Sequence, residues 1–126
     1  MSEGQVVNPA DCTPKTLSES GLRVREMIHP KFYAEPMILR QLELTQGSTP
    51  FMSCSDHDEL LYVLHGSCEI EVSQEGQANS YTLSVGSAVQ VHCESQWRFA
   101  SADNTTVLSF LVPAPTTPWG QALAKS

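Results

Sequence analysis

The chain has 126 residues, enough for one packed domain and too few for two. Fourteen acidic residues against seven basic ones give a formal charge of −7, which disfavours nucleic acid as a partner because phosphate contacts need clustered Lys and Arg. Hydrophobic residues at 40% and charged residues at 17% are ordinary for a soluble globular protein, and the longest apolar runs fall far short of the roughly 20 residues a membrane helix needs.

The start, "MSEGQVVNPADCTPK", has neither a basic nor an apolar leader region, so no signal peptide is expected. The four cysteines, at positions 12, 54, 68 and 93, form no CxxC pair and are expected as reduced thiols in a cytoplasmic protein. Strand-like runs then recur in chain order: 22–28 ("LRVREMI"), 37–44 ("MILRQLEL"), 59–64 ("ELLYVL"), 67–72 ("SCEIEV"), 80–83 ("SYTL"), 87–91 ("SAVQV"), 97–101 ("WRFAS") and 105–112 ("TTVLSFLV"). Hairpin turns are expected at Gly66, at "QEGQAN" (74–79), at Gly86 and at "ADN" (102–104). Many short strands with Gly, Asn and Ser between them predict an all-β barrel or sandwich with few or no helices. The expected layout is an N-terminal extension over 1–21, the β-barrel over 22–115 and a Pro-rich tail over 116–126.

Alternation assigns faces. Cys68, Ile70 and Val72 share one side of their strand, with Glu69 and Glu71 on the other. Glu59, Leu61 and Val63 share a side, and Leu60, Tyr62 and Leu64 share the opposite one. Both sides of that strand are therefore largely apolar, so its outer face needs a cover; a second sheet, an exchanged segment or the partner in a homodimer would supply it.

The segments "ELLYVLHG", "SCEIEV" and "YTLSVGSAVQVHCESQWRFAS" resemble the two sequence motifs of the cupin superfamily. The resemblance spans about residues 22–115 and implies a small jelly-roll barrel, the double-stranded β-helix. It also implies, in general, a divalent metal held by three histidines and one glutamate. In the first motif two histidines precede a Glu and a Gly; here Glu59 and Gly66 match the last two. Met52 and Cys54 stand at the histidine positions, or Ser53 and Ser55 if the spacing is one shorter. In the second motif Gly86 matches. His92 stands for the Pro, Glu94 for the next Gly, Trp97 for the metal-binding His and Ser101 for the Asn. One ligand of four therefore survives, and Trp has no lone pair to offer a cation.

Two classes of function follow. In the first, a metal-free barrel binds a small organic metabolite, with Trp97, Phe99, Met52 and Leu61 as walls and Glu59, Ser53 and Ser55 as polar anchors. In the second, the chain is an enzyme: an isomerase, cyclase or lyase using Glu59, with His57 beside it, as acid/base, or a dioxygenase-like metalloenzyme. Burial is expected to raise the pKa of Glu59. An atypical sphere of Cys54, His57, Glu59 and His92 would then hold zinc, iron, nickel or copper. For each residue the plainer alternative is structural: a Glu59 satisfied by a nearby hydroxyl, a Trp97 that plugs the core, a solvated His57 and a Cys54 that only fills space.

Overall fold

The computed structural model describes residues 6–17, 21–28, 38–54 and 57–113. Apart from a single 3-10 turn at Pro9–Asp11, every regular element among them is a strand. The strands are β1 (Lys15–Leu17), β2 (Leu22–Ile28), β3 (Ile38–Gly47), β4 (Met52–Cys54), β5 (His57–Gln74), β6 (Gln77–Leu83), β7 (Ala88–Val91) and β8 (Ser95–Pro113). All pairings are antiparallel, in the order β1-β2-β3-β8-β5-β6, with β4 added to β8 and β7 to β5. The segment read as an N-terminal extension thus contributes the edge strand β1, which pairs with β2.

Two strands dominate the architecture. β5 has 18 residues and β8 has 19, and each runs through both halves of the barrel. The first half of β5 pairs with β7 and the end of β8, and its second half pairs with β6 and the start of β8. Sequence alternation placed turns at Gly66 and at 102–104; the chain instead bends there without reversing. Register shifts fall between Val63 and His65 and between His65 and Ser67, so β-bulges turn the corner. Gly66 makes this possible: its φ is +79°, and a Cβ there would lie 2.3 Å from the carbonyl oxygen of Asn104, itself at φ +48°. Only a residue without a side chain lets the two bends approach so closely. The expected hairpin does form at Glu75–Gly76, where β5 reverses into β6.

Facing predictions hold along the long strands. Leu61, Val63, Cys68 and Ile70 are buried, while Leu60, Tyr62 and Leu64 are each about 40% exposed. Both halves send side chains into one core: Leu42 and Leu44 of β3, Leu61, Val63 and Ile70 of β5, Val91 of β7, and Trp97, Phe99 and Val107 of β8. Trp97 and Phe99 meet edge to face, with ring centroids 5.3 Å apart and planes at 73°, an arrangement their quadrupoles favour. Thr49 ties the loop before β4 to this floor. Its N–H donates to the Phe99 carbonyl at 2.9 Å, and its hydroxyl accepts from the Phe99 N–H at 3.0 Å.

Candidate functional site

A polar cluster sits within the apolar interior. Glu59 lies on the inward face of β5 and is only 2% exposed. A carboxylate there needs donors, since an unpaired buried charge is costly. Those shown by the described residues include three side chains. The Trp97 indole N–H donates to Oε1 at 2.9 Å. The Ser109 hydroxyl donates to Oε2 at 2.5 Å, and Arg40 Nη2 donates to the same oxygen at 3.0 Å. Arg40 Nη2 also donates to Ser109 Oγ at 3.1 Å, which closes a triangle of guanidinium, hydroxyl and carboxylate.

The strands explain the cluster. Arg40 and Ser109 are register partners on β3 and β8, and Ser109 in turn faces Leu61 on β5, two residues from Glu59. Trp97 comes from the other half of the barrel, where its backbone pairs with Met52 and Val72. Its indole therefore reaches across the interior to the acid. The Arg40 side chain is 23% exposed, so its guanidinium links the buried carboxylate to the surface. Arg40 Nε is buried and has no hydrogen-bond partner among the described residues.

The fold around this cluster has relatives among solved structures. A predicted oxalate decarboxylase from Thermotoga maritima superposes with a TM-score of 0.69 over 87% of this chain and 100% of its own, at 14% identity. The cupin domain of Drosophila melanogaster CENP-C gives 0.67 over 90% of this chain and 84% of its own, at 13% identity. Streptomyces albus HEPD, with 2-hydroxyethylphosphonate and Fe(II) bound, gives 0.72 over 93% of this chain and 27% of its own, at 12% identity. The domain has a cupin fold. By sequence it matches no protein-family model and no curated protein.

Within this cupin fold the sequence-derived site residues are dispersed. Glu59, Leu61, Trp97 and Phe99 do converge, but the last three are essentially inaccessible, at 0%, 0% and 1% exposure. They form a closed floor. Met52 is half-buried and packs against the core, whereas Ser53 is exposed. Ser55 lies outside the described residues, and Cys54 is described only through its backbone. Among the described residues the hydroxyl on Glu59 is that of Ser109. His57 opens β5, half-buried and on the strand face of Glu59; His92 is exposed at the turn after β7. In that turn the Cys93 N–H donates to Asp58 Oδ1 at 2.7 Å, and burial, then Asp58 and Glu94, hold the Cys93 thiol above its ordinary pKa.

These residues do not fit the three-histidine, one-glutamate metal sphere that the sequence resemblance implies. Glu59 is met by an indole N–H, a hydroxyl and a guanidinium, all of them donors. A divalent ion needs acceptors around it and would be repelled by the guanidinium. Among the described residues no three His, Cys, Asp or Glu side chains gather closely enough to hold a metal. Arg40 and Ser109 escaped the sequence reading, although the signal was there: alternation along "LRQLEL" puts Arg40 on the face of Leu42 and Leu44, and "VLSFL" puts Ser109 on the face of Val107 and Leu111.

Proposed function

We propose that the protein is a cupin-fold binding module that takes a small organic molecule at the Arg40–Glu59 end of the barrel, without the three-histidine, one-glutamate metal site. The observation that carries this reading is the Arg40 guanidinium. It is fixed on one side by Glu59 and Ser109 while its buried Nε–H lacks an acceptor among the described residues. Buried donors are nearly always paired, and an orphan one next to a partly exposed charged group suits an oxygen acceptor from outside the chain. A carbonyl, hydroxyl or carboxylate oxygen meets that requirement. Trp97 and Phe99 then act as the floor beneath the ligand.

An enzyme using Glu59 as general base is the second class of reading. Proton abstraction needs a carboxylate lone pair turned toward substrate. At least three donors already engage Glu59, so binding ranks ahead of catalysis. No helix among the described residues is long and apolar enough to cross a membrane, and Cys12, Cys68 and Cys93 are free thiols, which goes with a cytoplasmic setting.

The test is a panel of small carboxylates, keto acids and polyols added to the Trp119→Phe chain, in which Trp97 is the remaining indole. Trp97 emission and the Arg40 Nε–Hε NMR resonance are followed together. A saturable change in both, lost in Arg40→Lys, supports the reading. A panel that moves neither signal overturns it.

A further inference from the structure

We propose that Arg40 is a built-in cation: its guanidinium sits on Glu59 in place of a divalent metal, and Ser109 and Trp97 lock it there. Three observations meet at this point. First, the carboxylate is almost fully buried, and a carboxylate in a dry interior needs a positive partner to stay ionised. Second, the partner present is a guanidinium at 3.0 Å, which is permanently protonated and carries no acceptor. Third, both carboxylate oxygens are engaged from opposite halves of the barrel. Arg40 and Ser109 reach Oε2 from β3 and β8, and Trp97 reaches Oε1 from across the interior.

The geometry accounts for features that are otherwise unconnected. An acid stands at the motif position although Met52, Cys54 and Trp97 stand at the histidine positions, and here it serves an arginine. Trp97 fits the same role. An imidazole at that position would offer a lone pair to a metal, whereas the indole offers only an N–H to the acid. Ser109 completes the exchange by accepting from Arg40 and donating to Glu59, so its hydroxyl orients both members of the pair. The pairing stands whether or not the barrel takes a ligand.

Metal uptake by the full chain tests the assignment. Chelator-stripped protein is dialysed against Zn(II), Ni(II) or Mn(II), and metal per chain and the shift in Tm are read. The wild-type chain should retain far less than one equivalent and show no shift. Two further variants then ask whether Arg40 itself is the barrier. Met52→His/Trp97→His puts imidazoles at two of the motif's histidine positions while keeping Arg40, and adding Arg40→Met removes the cation. Apparent metal affinity should be about 10- to 100-fold higher in the triple variant than in the double one, and Glu59→Gln should abolish the gain.

Arg40→Lys in the two-histidine background keeps the charge and should hold metal affinity as low as Arg40 does. Three results overturn the proposal. One is a wild-type chain that holds about one equivalent of metal lost on Glu59→Gln. The others are histidine variants that bind equally with and without Arg40, or that bind in neither case. Should the triple variant not fold, the wild-type arm still decides, since about one equivalent of metal held there on Glu59 contradicts a guanidinium in the metal's place.

Discussion

Arg40 and Glu59 lie 19 positions apart and meet at 3.0 Å, one side chain reaching partly into solvent and the other shut away from it. That asymmetry makes their removal unequal. Arg40→Met should strand a buried carboxylate and cost about 3 kcal/mol of unfolding free energy, toward the low end for a broken buried pair because Arg40 is partly solvated. Adding Glu59→Gln should recover much of that loss. Urea unfolding of the two single variants and the double variant checks both statements; a double variant whose loss equals the sum of the two single losses would mean the pair is not coupled.

A second expectation concerns the corner. Gly66→Ala forces a side chain into the +79° conformation and toward the Asn104 carbonyl. The left-handed conformation alone costs about 1 kcal/mol or more for a residue with a Cβ. The steric overlap with backbone adds to it, so the loss should exceed about 2 kcal/mol, measured by thermal or chemical unfolding. Gly76→Ala meets nothing within 4 Å and should lose only the conformational part.

How much of this was legible beforehand follows the physics of alternation. Period-two patterning read the faces of 59–64 and 68–72 correctly because each strand has one buried side, and it placed Glu59 inward. It failed at Gly66 and at 102–104, where Gly and Asn signal positive φ but do not distinguish a reversal from a bulge. The pocket reading rested on Trp97 and Phe99 as walls, yet the structure closes over both. Exposure depends on what crosses the barrel, a non-local fact that a single strand's pattern does not contain. Arg40 shows the reverse case, a charge plainly on an inward face and passed over because charged residues are seldom there.

Cys68 gives a pH dependence. Burial pushes its thiol up from 9.0 to about 11. In the unfolded chain the thiol ionises first as pH rises, so the unfolded state loses its proton where the folded state keeps it. Stability from this group is therefore fully present below pH 9 and falls between pH 9 and about 11, by at most about 2–3 kcal/mol. Cys68→Ala should flatten that alkaline limb of a stability–pH curve. Thiol titration at pH 8 should find Cys68 reactive only after unfolding.

The outer face of β5 carries Leu60, Tyr62 and Leu64, with Leu108 and Phe110 of β8 alongside. Next to it Arg25 pins the N-terminal segment, donating to the Pro9 and Cys12 carbonyls at 3.1 and 2.8 Å while pairing with Glu43 at 2.7 Å. That segment is held over β2 and β3, and the stripe beyond stays open. We propose a second copy of this chain as its cover, since two bodies of charge −7 approach best through an uncharged strip. Light scattering should report a dimer for the wild-type chain and a monomer for Leu60→Lys/Leu64→Lys, with the fold retained by circular dichroism. A monomeric wild-type chain would leave no room for this view.

The continuity of β5 and β8 through both halves of the barrel has a mechanical consequence. Among the described strands the two halves share these staves, so parting one half from the other must tear β5 from β8. Denaturation is then expected to register as one event for probes placed at either end, and chain breaks or grafted loops should be fatal at the Gly66 bend yet harmless at the Glu75–Gly76 tip.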